Sequence, residues 1–194
     1  LSSPILRGGD FSVTESGIRE TVRQVALPLW NTWYFLSLYA NADGATGKWS
    51  TSSTNVLDRY VLAKTHDLVS DLTQQLDAYD LFEACATIRS FLDVMTNWYV
   101  RRSRDRFWAG DQDAIDTLHT VLDYLTKISA PLLPLLTDEI SAGLNGGTAP
   151  SVHLADWPTS ASLPRNVALV ASMDMVRDVC SSALSVRKAL SRRV

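Results

Sequence analysis

The sequence predicts an all-α protein, an elongated bundle of about five long helices with one short irregular or extended segment near residues 145–158. Three observations carry that expectation. Apolar residues recur at steps of three and four along most of the chain, the period of one helical face. Stretches rich in Gly, Pro, Ser and Asn separate these runs at intervals that suit helices and are too long for strands. Neither alternating strand and helix units nor a repeat nor a low-complexity tract is present.

In order along the chain, the first helix runs from Glu15 to about residue 42. Its inner face is Ile18, Val22, Val25, Leu29, Trp33 and Leu36, and Pro28 should kink it, because the pattern survives on both sides. Residues 41–54 are dense in turn formers and read as a loop. Ser53 or Thr54 is the expected cap of a second helix, which reaches about Gln75 and turns Leu57, Val61, Leu68 and Leu72 inward. Asp80 and Glu83 have the spacing of a capping box, opening a third helix that Gly110 stops after Trp108. At 1.5 Å per residue this helix is about 40 Å tall. A fourth helix spans about residues 112–129, and Pro131 and Pro134 break it before a shorter one that ends near Gly143. Within the irregular segment, Val152 to Ala155 is the candidate extended piece. A last helix from about Arg165 carries Leu169, Met173, Val176, Cys180, Ala183 and Leu190 at near-heptad spacing, interrupted by Arg187. The expected organisation is a lead-in segment (1–14), the bundle (15–158), and a linker with a terminal helix (159–194). That helix has no Gly or Pro cap at its end, which suggests that the natural chain continues.

Composition narrows the function classes. The 194 residues carry 18 Lys plus Arg against 21 Asp plus Glu, so a net charge of -3 gives no global basic field and no acidic tail. Arg outnumbers Lys by 14 to 4, a skew that reflects either coding bias or bidentate contacts to phosphate and carboxylate. Cys85 and Cys180 lie far apart without a CxxC or a neighbouring His, which argues for a reducing compartment and against a zinc site. The N-terminal residues lack the basic and apolar regions of a signal peptide. Residues 24–42 are free of charge over nearly a membrane span, yet Pro28, Asn31, Thr32, Ser37 and Asn41 within them favour a buried helix. No GxSxG, HExxH or GxxxxGK[ST] occurs, and His66, His119 and His153 stand without partners at ligand spacing. Arg7-Gly8-Gly9-Asp10 reads as an ordinary turn, with a phosphate-cradling turn as the weaker alternative.

One segment departs from this background. NWYVRRSRDRFW, residues 97–108, holds four Arg and four aromatic residues with a local net charge of +3. A helical wheel puts Leu81, Ile88, Phe91, Leu92, Met95 and Tyr99 on the apolar face, with Arg102 and Arg106 continuing it as structural arginines whose heads pair with carboxylates. Glu83, Ser90, Asp93, Asn97, Arg101, Arg104 and Trp108 line the opposite face. Cations beside an exposed indole suit the phosphates and bases of single-stranded RNA loops. The alternative is a solvated arginine face with Trp108 packed back on the bundle. Arg187, Lys188, Arg192 and Arg193 form a second, smaller basic cluster, either an extension of that surface or a solvated helix end.

These residues resemble the class I isoleucyl-tRNA synthetases. LRGGDF (6–11), RQVALPLWNTWYFLSLYANADG (23–44), LDRYVLAK (57–64), NWYVRRSRDRFW (97–108), APLLPLLTDEI (130–140) and SVHLADWP (151–158) follow the order of that family's helical anticodon-binding domain. LDRYVLAK and APLLPLLTDEI are looser, shared with valyl and leucyl relatives, while NWYVRRSRDRFW and SVHLADWP resemble the isoleucyl enzyme more specifically. The resemblance implies a cytoplasmic parent enzyme that joins isoleucine to its tRNA, with ATP and Mg handled by the parent's catalytic domain and no cofactor in this fragment. It implies two partners, the anticodon stem-loop of the tRNA for isoleucine and that catalytic domain, and no membrane. HIGH-like and KMSKS-like motifs are absent, so the fragment should be catalytically silent. The RNA-binding candidates are Asn97, Trp98, Arg101, Arg102, Arg104 and Trp108. The alternatives are the same domain of a valyl or leucyl enzyme, or a bundle that docks through residues 4–10 and 24–42 without touching RNA.

Overall fold

The computed structural model describes residues 14–190, and among them every regular element is helical. LRGGDF, with its Gly pair, and the basic residues Arg192 and Arg193 lie outside the described residues.

The Thr14 hydroxyl accepts from the Gly17 N–H at 3.1 Å and opens α1 (Glu15–Thr21). A π-helical segment (Val22–Ala26) joins it to α2 (Leu27–Ala42). Pro28 explains the change. It has no N–H to give the preceding turn, and the Leu27 N–H reaches back to the Val22 carbonyl in an i to i+5 bond. The expected disturbance therefore falls one turn before the proline. The expected inner face fails in this half: Ile18 and Val22 are exposed, and burial begins only with Leu29, Thr32, Leu36 and Ala40. A π-turn holds one extra residue, which rotates α1 by about 100° relative to an unbroken α-helix, so positions in phase along the sequence are out of phase in space.

Asn55, and not Ser53 or Thr54, caps α3 (Val56–Asp77) by accepting from the Leu57 N–H at 2.9 Å. Ser53 is drawn into the core by Asp58 instead. α3 packs against α4, α6 and α8, and Tyr60, Val61, Leu62, Ala63, Leu68 and Leu72 are buried within it. Tyr79, left-handed at φ 56°, turns the chain into α4 (Leu81–Asp93). Asp80 caps α4 by accepting from the Glu83 N–H at 3.1 Å. A second π-helical segment (Val94–Val100) and α5 (Arg101–Trp108) continue the rod. Gly110, at φ 67°, ends it where a Cβ would come within 3.0 Å of the Asp43 carboxylate.

Asp111 caps α6 (Gln112–Ser129), the central helix, in which Ile115, Leu118, Val121, Leu122, Leu125 and Ile128 are all inaccessible to solvent. α7 (Pro134–Leu144) starts at its proline, where a missing N–H costs nothing. The piece from Val152 is a 3-10 turn and not extended. Asp138 on α7 causes this, because its Oδ1 accepts from both the Ser151 hydroxyl at 2.7 Å and the Val152 N–H at 2.9 Å.

α8 (Val167–Ala189) has no buried residue despite its near-heptad apolar spacing, and its cover thins toward the end that Arg187 interrupts. Leu169, Met173 and Cys180 are half-covered, while Val176, Ala183 and Leu190 face solvent. Its attachment is largely polar. Asp174 accepts from the Tyr60 hydroxyl at 2.5 Å and from Lys64 at 3.2 Å, and Arg177 reaches Asp93 at 3.2 Å.

Candidate nucleic-acid interface

The basic helix is fixed from beneath by one buried carboxylate. Asp58, on the first turn of α3, is wholly inaccessible, and four donors converge on its two oxygens. Arg106 grips it bidentately at 2.6 and 2.7 Å, the Tyr99 hydroxyl donates at 2.9 Å and the Ser53 hydroxyl at 2.6 Å. Arg106 also donates through Nε to Asp111 at 2.7 Å. The hydrogen bonds to Asp58, ahead of the burial that opposes them, hold the Arg106 guanidinium above its ordinary range. Burial first, and then the Asp58 charge, pushes the Tyr99 phenol well up, so it stays a donor. Burial pushes the Asp111 carboxyl up, but its bonds from Arg106 and the Ala114 N–H outweigh that and leave it lowered. A fork of this kind has one good geometry, so it fixes the rotation of α5 about its axis.

With Arg106, Ser103 and Phe107 turned inward, Asn97, Arg101, Arg104 and Trp108 all turn outward. Asn97 donates its amide to Asp93 at 2.7 Å. Arg101 and Arg104 have no hydrogen-bond or ion-pair partner among the described residues, and with Thr96, Asn97 and Val100 they line a shallow groove of about 340 Å³. Trp108 is 79% exposed and touches the protein through an edge contact with Tyr39, centroids 6.3 Å apart. Most of the indole is thus open to solvent, and Tyr39 packs in turn on Phe35 and Phe107.

Two of the six sequence candidates lie off this stripe. Arg102, expected to continue the apolar face, is exposed and stacks over Trp98 with its guanidinium carbon 3.7 Å from the ring centroid. Past Tyr99 the inward positions are Ser103 and Phe107, because the π-helical segment shifts the phase by one residue. Trp98 is half-buried, its ring covered by Arg102, and its Nε1 has no hydrogen-bond partner. Sequence reasoning passed over Asp58. Its signal was a carboxylate in phase with Val61 and Leu68 on an apolar face, where an unpaired charge is not tolerated.

A sequence model of the anticodon-binding domain of tRNA ligases matches residues 58–192 of this chain. The chain belongs to that family. As an anticodon-binding domain it is similar to part of the isoleucine–tRNA ligase of Leifsonia xyli subsp. xyli, at 60% identity over 200 residues. It is 56% identical to that of Nocardia farcinica and 57% to that of Mycobacterium tuberculosis strain H37Rv, each over 194 residues. The alignments cover the whole of this chain but only 18% of each relative. The matched span runs from Asp58 on the first turn of α3 through the basic helix to α8. Among the described residues of the domain, no helix is long and apolar enough to cross a membrane.

Proposed function

We propose that this domain binds the anticodon stem-loop of the tRNA for isoleucine, as one part of a cytoplasmic isoleucine–tRNA ligase. The observation that carries the reading is the contrast among neighbouring arginines. Arg102, Arg106 and Arg177 are each engaged by a ring or a carboxylate, whereas Arg101 and Arg104, with no partner among the described residues, line a groove one turn from an exposed indole. Unpaired guanidinium groups supply phosphate contacts, Trp108 supplies a stacking face, and the Asn97 amide supplies a donor and an acceptor for a base edge. On this reading ATP and Mg²⁺ belong to the parent's catalytic domain. On the same reading, ligation takes place in that catalytic domain.

The test is binding of an anticodon hairpin across a salt series. With three or more phosphates neutralised in a single-stranded loop, log K falls against log salt with a slope of about -2 or steeper. A flat dependence, or no binding at low salt, overturns the reading for this domain. A second role is favoured by Leu27, Tyr34 and Leu38, which are exposed along α2 and suit docking against the parent's catalytic domain. Leu38→Asp should then weaken a complex with that domain and leave hairpin binding unchanged.

A further inference from the structure

A second groove, of about 520 Å³, runs between α2 and α4 and meets the first at Thr96 and Asn97. We infer that it is a further RNA subsite, which holds the phosphates and one ribose or base of the strand leaving the loop; this rests on the RNA-binding reading above. Three independent features point to it.

The first is charge. Arg23 and Arg89 face the groove, and neither has a carboxylate partner among the described residues. The wall carries one carboxylate, Asp93, which Arg177 and Asn97 already engage. The groove therefore has an excess of positive charge although the chain as a whole is acidic.

The second is an unsatisfied donor. The Arg89 Nε is shielded from solvent and has no hydrogen-bond acceptor. Buried donors are nearly always paired, and a phosphate oxygen entering beside Arg89 is an acceptor of the right kind for a guanidinium. Pro28 and Ala86, both half-buried, add an apolar surface against which a sugar or base face can lie. The volume is within the roughly 300–1,000 Å³ of ligand pockets.

The third is backbone form. Arg23 belongs to the first π-helical segment and Asn97 to the second, so both π-helical segments among the described residues border the same groove. π-turns are uncommon and cluster at functional sites. Here each widens its helix where a ligand is placed to enter. The two grooves share Thr96 and Asn97, so their linings run continuously from Arg104 past Asn97 to Arg89 and Arg23.

The deciding experiment measures binding of the anticodon hairpin against salt for the unaltered chain, for Arg23→Gln with Arg89→Gln, and for Arg101→Gln with Arg104→Gln. The Arg23/Arg89 variant should bind about tenfold more weakly, with a slope shallower by about 1.4, the loss of two phosphates at about 0.7 each. Arg23→Lys with Arg89→Lys keeps both charges and should keep the slope, which separates lost charge from disturbed packing. If the Arg101/Arg104 variant loses affinity while the Arg23/Arg89 variant matches the unaltered chain, the second groove is no subsite and the main reading stands. Weaker binding with an unchanged slope also overturns the second groove. If the unaltered chain does not bind the hairpin at all, both readings fall.

Discussion

Arg106 and the pair Arg101 and Arg104 lie on one eight-residue helix and do opposite work. Arg106 is spent on the fold: it is three-quarters covered or more, and its guanidinium is used up by Asp58 and Asp111. Arg101 and Arg104 have no partner among the described residues, and so they are available to one that arrives. The difference teaches that a count of arginines says little about RNA binding. What matters is how many carboxylates the fold has set against them.

The comparison is broken most severely from the inside. Arg106→Ala leaves Asp58 as an uncompensated buried charge and should destabilise the domain by about 3–5 kcal/mol, read by chemical denaturation. Replacing both partners by leucine should recover most of that loss, because two apolar side chains remove the desolvated charges together. If the double variant is no better than the single one, the pair is not the unit described above.

From the outside, Arg101→Glu with Arg104→Glu should weaken hairpin binding by about 2–5 kcal/mol while stability stays within about 0.5 kcal/mol. A collapse in melting would move these residues into the structural class with Arg106. Trp108→Ala should cost about 1–3 kcal/mol of binding, the worth of one stacked base, with a salt slope like that of the unaltered chain. A change in slope would mean that the indole positions the arginines and does not itself stack.

The smallest effect is on pH. The folded Asp111 carboxyl is lowered below its unfolded value, so its contribution is complete above the ordinary aspartate range of about 3.9 and fades as pH falls through the folded value. Asp111→Asn keeps a side-chain cap for α6 but removes the titration. Its denaturation midpoint should fall less steeply than that of the unaltered chain below about pH 4, and the two curves should run parallel above about pH 6.

Helix order and the outward stripe were legible because both depend on local spacing. α6 follows its wheel, and Asp80 and Gly110 mark the ends of the tall rod as their chemistry requires. The errors share a physical origin in non-local bonds. Asn55 caps α3 because Asp58 takes the Ser53 hydroxyl, and Val152 coils because Asp138 is nearby in space. Arg102 was misplaced because no composition rule announces a π-turn: it stood at the edge of the expected apolar face, and Ser103 and Phe107 took the inward positions beside Arg106. α8 carries the pattern of a buried helix without a matching buried face, so periodicity alone did not say whether anything covers it.

Tyr79 offers a use of its own. It is almost fully exposed and holds a left-handed backbone that disfavours any residue with a Cβ. Glycine adopts that conformation freely, so Tyr79→Gly should raise stability by up to about 1 kcal/mol, partly offset by its looser unfolded state. The site is on the α3 to α4 turn and touches neither groove. A chain carrying that substitution is a sturdier background in which weakened variants such as Arg106→Ala can be purified and compared for RNA binding at all.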